Sequence, residues 1–333
     1  MAQAQTVTAQ ERPRPALKLV KTNDLSREQW LDVRRRGIGS SDAATAVGLN
    51  PYKSPLELWM EKTGRADQLP QVDPNDDSSP LYWGTLLEPV VAAHYTRRTG
   101  HRVRRINAVL QHPKHPWMLA NIDREVIGVP DVQVLECKTA GIHGAKLWKE
   151  GVPEYVQLQV LHQLAVTHKA AADVAVLIGG QELRIHRIVR DEEAIGQLIE
   201  LETRFWRYVE QDQPPPADGS ASAELALRCL YPYDRGEVVN FSGDFALAQA
   251  FSDLIAVRQV LEQHGQREAQ LKQHIQQAMG EASRAVFETG EVSWKRSKDT
   301  RVLDTARLLK DQPELLERYG STRAGARRFV IHL

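Results

Sequence analysis

Two acidic residues and a lysine stand where they could act together on one face of a β-hairpin. Residues 118–127 and 132–138 both read as strands, and Gly128-Val129-Pro130-Asp131 between them reads as a four-residue turn. With that turn Ile127 faces Val132, and counting back in register sets Asp123 directly opposite Glu136. Cross-strand neighbours have Cβ atoms roughly 4.5–5.5 Å apart, close enough for two carboxylates to share one hard cation. Lys138 follows two residues along the same face as Glu136. Such a group is costly unless a metal or a salt-bridge network satisfies it. Magnesium fits, because it takes carboxylate oxygens, keeps several waters and works on phosphates. Asp131 is the competing acid, since Pro130-Asp131 runs ahead of Glu136-Cys137-Lys138. Five residues of extended strand would put it about 16 Å from Glu136, too far to share an ion, so it is read as a turn residue.

The elements that must hold this group alternate between helix and strand. Ser26 caps a helix to about Val33, with Gln29 at the third helical position of a capping box. Ser54-Pro55 opens a second, apolar at Leu56, Leu58, Trp59 and Met60 and closed by Gly64. Residues 82–98 form a third, stopped by Gly100. Pro153 starts a helix to about His168, strands at 173–178 and 183–189 pair across Gly179-Gly180, and a helix over 191–209 follows. The class is mixed α/β. His112 and His115 lie in His-Pro-Lys-His-Pro-Trp, which reads as a rigid turn rather than a metal pair. Trp30, Trp59, Trp83 and Trp148 are expected in the core.

At 333 residues the chain suits two domains. Lys+Arg and Asp+Glu are both 43, so contact with nucleic acid must come from local basic patches rather than net charge. Cys137 and Cys229 lack metal-type spacing and fit a reduced, cytoplasmic setting. No apolar run is long enough to span a bilayer, and the polar start of the chain lacks a secretory-signal core. The expected organisation is a disordered arm over 1–23, a first domain over 24–210, a Pro/Ser-rich linker over 211–222 and a C-terminal region over 223–333. That last region carries a broken apolar helical stripe over 243–279 and a hairpin around Thr289-Gly290. From Trp294 onward basic residues, among them Lys295, Arg296, Lys298 and Arg301, outnumber acidic ones; a DNA- or partner-contacting module and an ordinary solvated face both fit.

Asp123 followed by Glu136-Cys137-Lys138 resembles the Asp…Glu-x-Lys core of restriction-endonuclease-like nucleases. Around it the match narrows to the YqaJ-type viral recombinase family, to which lambda exonuclease is also assigned. Arg34-Arg-Arg-Gly-Ile-Gly-Ser-Ser-Asp-Ala-Ala resembles that family's opening motif, and Gly48-Leu-Asn-Pro-Tyr-Lys-Ser-Pro-Leu-Glu-Leu-Trp follows it. Trp83-Gly-Thr-Leu-Leu-Glu-Pro resembles its glutamate-bearing helix, Tyr155-Val-Gln-Leu-Gln-Val-Leu-His-Gln-Leu-Ala-Val its glutamine-bearing helix, and Phe205-Trp206 its closing aromatic pair. The motifs run in the family's order over roughly residues 25–209.

The resemblance implies a restriction-endonuclease-like core, a mixed central sheet flanked by helices, followed here by the helical and β-hairpin extension. It implies that Glu88, Asp123 and Glu136, with the Cys137 carbonyl, hold one or two Mg2+ ions, for which Mn2+ can substitute. Lys138 would orient and help deprotonate the attacking water, with Gln159 beside it; local spacing leaves Gln157 as an alternative. Arg34 and Ser41, the latter ahead of a helical run, would bind a terminal 5′-phosphate. Arg124 departs from the pattern, since many relatives have glycine after the aspartate. The implied activity is 5′-to-3′ digestion of double-stranded DNA for phage-type recombination, by a trimer working with a single-strand annealing protein. A Mg2+-dependent endonuclease or nickase and a non-catalytic DNA-binding recombination accessory are the alternatives.

Overall fold

The computed structural model describes residues 16–332 apart from 24, 72, 323 and 324. The chain forms two compact units that divide after Pro232. In chain order the first unit contains β1 (Leu17–Lys21), α1 (Arg27–Arg35), β2 (Ile38–Gly39), α2 (Ala43–Ala46), α3 (Pro55–Lys62), α4 (Pro80–Thr99), β3 (Arg102–Arg104), β4 (Ala108–Gln111) and β5 (Met118–Ala120). It continues with β6 (Arg124–Ile127), β7 (Val134–Ala140), α5 (Glu154–Thr167), β8 (Ala171–Ile178), β9 (Glu182–Val189), α6 (Glu192–Glu210) and α7 (Ala221–Leu230).

The helix starts follow local chemistry. Ser26 and Gln29 form the expected capping box of α1, and Ser54 accepts from the Glu57 amide ahead of Pro55. Gly100 closes α4 in the left-handed region, and Asp191 caps α6. Gly179 and Gly180, both at positive φ, make the tight turn between β8 and β9.

The central sheet has the order β3-β6-β7-β8-β9, antiparallel except for the β7–β8 pair, which is parallel and connected through α5. Alternation along β7 and β8 serves two cores. Val134, Val174 and Val176 pack with Val156, Val160 and Leu164 of α5. Leu135 and Ala175 pack with Val91, Ala92 and Tyr95 of α4. A second sheet, β1-β4-β5-β2, sets parallel β2 beside β5. The Ile38 amide donates to the Trp117 carbonyl (2.7 Å), and a side chain at Gly37 would collide with that oxygen. The expected mixed α/β architecture is present, with helices on both faces of the central sheet.

Three expectations change. The run over 118–127 is two strands in two sheets, because Asn121 leaves the ladder and its side-chain amide donates to the Ala108 carbonyl. Part of the expected disordered arm is ordered: Leu17–Lys21 pairs with β4, while residues 1–15 lie outside the described residues. The first unit continues beyond the Pro-rich segment, because α7 packs its fully buried Ala226 into the cluster of Leu56, Trp59 and Phe205. Ser222 ties that helix to α3, accepting from the Ser54 amide and donating to Glu57.

The second unit holds α8 (Phe245–Met279), the hairpin β10 (Arg284–Phe287) and β11 (Gly290–Ser293), then α9 (Thr305–Asp311) and α10 (Glu314–Tyr319). Among its described residues Met279 is the buried side chain of α8, and Lys295, Arg296, Lys298 and Arg301 are exposed. Among the described residues no helix is long and apolar enough to cross a membrane.

Candidate active site

The register of β6 against β7 pairs Arg124 with Leu135 and Glu125 with Val134. Extended by one residue, it sets Asp123 opposite Glu136, as the turn count required. Asp123 sits where the chain re-enters the sheet after the Asn121 break, and its Oδ2 accepts from the Cys137 amide at 2.8 Å. Residue alternation turns Glu136 and Lys138 to the α5 side of β7.

There they form one hydrogen-bonded group. Lys138 Nζ is 2.8 Å from Glu136 Oε1 and donates to Gln159 Oε1 at 2.8 Å. Gln159 Nε2 donates back to Glu136 Oε1 at 2.5 Å. Gln163 Nε2 donates to Glu136 Oε2 at 2.7 Å, so both oxygens of this buried carboxylate are held from α5. Gln157 faces elsewhere and donates to the Val152 carbonyl, which leaves Gln159 as the glutamine of the site. Gln163 was missed in the sequence, although its i+4 spacing from Gln159 puts both on one helix face.

Charge crowding shows in the titration of the group. Burial, and then the negative charge of Glu136, pushes the Asp123 carboxyl up to about 8. Burial pulls the Lys138 ammonium down, but Glu136 and Asp123 outweigh it and raise its pKa, so the lysine is charged. Burial also raises the Cys137 thiol far above its ordinary range, which leaves its side chain inert.

Glu88, expected with these acids, is on α4, near enough for its charge to act on Asp123, and is paired with arginines. Arg124 Nη1 lies 2.5 Å from Glu88 Oε1, and Arg105 Nη2 lies 3.7 Å from the same oxygen. Among the described residues no three Asp, Glu, His or Cys side chains converge to hold a metal. The donor atoms that do stand together are the Asp123 and Glu136 carboxylates, with the Cys137 carbonyl in the same strand. These hard oxygens suit Mg2+ or Mn2+, whose charge would offset the burial and the Glu136 charge that raise the Asp123 pKa. Asp131 is exposed in the β6–β7 connection.

The opening motif brings together Arg34 and Ser41. Arg34 Nη2 donates to Ser41 Oγ and to Asp42 Oδ1, both at 2.9 Å. Buried Asp42 also accepts from Lys62 Nζ at 2.7 Å and from the Gly39 amide. Burial opposes ionisation of Asp42, but Arg34 and Lys62 drive its pKa far below the carboxylate range. Burial pulls the Lys62 ammonium below its ordinary value despite Asp42, and Arg34 is the less buried of the two cations beside exposed Ser41. Ser41 lies inside a 3-10 turn over Ser40–Asp42 that is followed by one turn of α2, too short to carry a long helix dipole. Asp42 and Lys62 were missed, though both lie inside or next to the quoted motifs.

Other expectations resolve simply. His112 Nδ1 accepts from the amides of Lys114 and His115 and so builds the turn. Trp59 and Trp148 are buried, while Trp83 is exposed and donates to the Asp77 carbonyl.

A family model described as YqaJ-like viral recombinase domain matches residues 29–170. The uncharacterized protein YqaJ of Bacillus subtilis (strain 168) is 33% identical over 305 residues, 90% of this chain and 92% of the relative. Among solved structures, an alkaline exonuclease from Laribacter hongkongensis aligns over 56% of this chain and 93% of its own, with TM-score 0.44 and 20% identity. A phage related exonuclease from Haemophilus somnus 129PT aligns over 55% and 97%, with TM-score 0.39 and 10% identity.

Proposed function

The chain belongs to the YqaJ-like viral recombinase family, and from that premise we propose that it is a metal-dependent deoxyribonuclease that digests double-stranded DNA from its 5′ ends. The observation that carries this reading is the group on β6, β7 and α5: Asp123 opposite Glu136, with Lys138 and Gln159 hydrogen-bonded to each other and to Glu136. An ordinary surface ion pair needs no second, buried carboxylate whose pKa is raised by burial and then by the first. The Asp123 and Glu136 carboxylates and the Cys137 carbonyl would hold Mg2+, with Mn2+ as substitute, and the ion when bound supplies polarisation of the phosphate, a more acidic water and a stabilised leaving oxygen.

The chain's own residues supply position. Lys138 carries its charge and acts as a donor that orients the attacking water and a phosphate oxygen. For it to take a proton, the Glu136 carboxylate must first be drawn away from it. Gln159 and Gln163 fix Glu136, and Gln159 also fixes Lys138. Arg34 and Ser41 would grip the terminal 5′-phosphate through charge-assisted hydrogen bonds. A single-strand annealing partner, a trimer and a role in phage-type recombination are part of the same proposal and rest on the family resemblance.

Initial rates on matched linear duplexes with 5′-phosphate or 5′-hydroxyl ends, and on closed circles, test it in the presence of Mg2+. The expected order is phosphate, then hydroxyl, then no cutting of circles, and Arg34→Ala should erase most of the difference between the ends. Equal rates on both ends with comparable cutting of circles would replace the exonuclease by an endonuclease. No metal-dependent cleavage on any substrate would leave only DNA binding.

A further inference from the structure

Arg124 is a buried guanidinium among the carboxylates of the site, with 10% of its side chain exposed. Its Nη1 donates to Glu88 Oε1 at 2.5 Å and to the Asp123 carbonyl at 2.6 Å. The backbone of Arg124 is fixed in β6 by its pairing with Leu135, so the side chain reaches Glu88 from a rigid element. Arg105 adds a more distant positive charge on the same carboxylate oxygen.

We propose that Arg124 is a resident cation that keeps Glu88 for itself, so that the centre takes a single divalent ion on Asp123 and Glu136. This rests on the metal-dependent reading above. Arginine stays protonated under all ordinary conditions, and a buried charge that loses its partner is strongly unfavourable. Moving Glu88 onto a metal would leave Arg124 buried beside a dication with no carboxylate between them. The guanidinium therefore fills the role that a second metal would have next to Glu88, and it repels the one ion that binds. Arg124 is thus a positioning residue that sets metal number and affinity.

Calorimetric titration of the full chain with Mn2+, in the absence of DNA, tests this without reference to activity. Wild type should bind one Mn2+ per chain. Glu88→Gln should keep that stoichiometry and weaken binding, because it leaves the Arg124 charge uncompensated beside Asp123. Arg124→Gln should tighten binding by about tenfold, since it removes a unit positive charge that touches the Asp123 carbonyl. Arg124→Lys, which keeps the charge, should stay near wild type. Two ions per chain in wild type, or weaker binding by Arg124→Gln, would each overturn the inference. Thermal melts check folding, and if the Arg124 variants do not fold, the wild-type stoichiometry still decides. If Asp123→Asn and Glu136→Gln bind Mn2+ as wild type does, the metal centre itself is misplaced, a pattern distinct from failure at Glu88.

Discussion

Glu136 is the residue on which the site converges: Lys138 and Gln159 meet one of its oxygens and Gln163 the other, while Asp123 stands across the ladder. Each contact has its own consequence. Asp123→Ala or Glu136→Ala should lower cleavage by at least about a thousandfold, the scale of losing metal-based charge stabilisation. DNA binding in Ca2+, read by gel shift, should persist in both; full cleavage by either variant rejects the ligand set. Gln163→Leu removes a hydrogen bond to a charged group, worth about 1.5–3 kcal/mol, so cleavage should fall about ten- to a hundredfold. Gln157→Ala is the control. Its amide donates to the Val152 carbonyl, away from Glu136 and Lys138, and its rate should stay at the wild-type value. If the Gln157 variant loses activity and the Gln163 variant does not, the wrong face of α5 has been assigned to the site.

α5 is held in place by more than its apolar face. Between Gln159 and Gln163 it carries His162, fully buried, whose Nε2 meets the Leu119 carbonyl at 2.9 Å and whose Nδ1 meets Glu202 of α6 at 2.7 Å. Burial pulls the imidazole down, but the Glu202 charge and hydrogen bond prevail and raise its pKa above 6.5. A group raised on folding adds stability that is fully present below its unfolded pKa and is lost as pH climbs through the folded value. Wild-type melting temperature should therefore fall as pH rises above about 6.5, and Glu202→Gln should flatten that slope. Equal slopes in the two proteins would mean that the pair is not ionised. His162→Ala should cost about 3–5 kcal/mol, because it strands a buried carboxylate, and should loosen the helix that presents both glutamines.

For the whole molecule, the division after Pro232 has a direct test. A chain ending at Pro232 keeps α7 on α3 and should melt as a cooperative unit. A chain ending at Pro214 exposes Leu56 and Trp59 beneath the missing Ala226 and leaves Ser54 and Glu57 without Ser222. Lost apolar burial and hydrogen bonds should cost on the order of 3 kcal/mol, seen as a lower melting temperature or midpoint in urea. If both fragments melt alike, α7 contributes nothing and the linker expected over 211–222 is the real boundary.

Much of the first unit was legible before any coordinates, because its signals are local. The Ser26 and Ser54 caps, the Gly100 stop and the Gly179-Gly180 turn are set by neighbouring residues, and the Asp123–Glu136 register follows from the length of one connection. Partners brought in from distant elements were not legible. Short strands such as β1, β2 and β3 carry too few residues for a period of two to show, and they exist because a long-range neighbour completes their hydrogen bonds. The same holds for the charges. Sequence motifs marked Glu88 and Arg34, but motifs carry residue types and not distances. Only the tertiary structure decided that Glu88 faces Arg124, that Asp42 and Lys62 join Arg34, and that Gln163 completes Glu136, since Coulomb and hydrogen-bond energies depend on separations of a few ångströms that no spacing along the chain fixes.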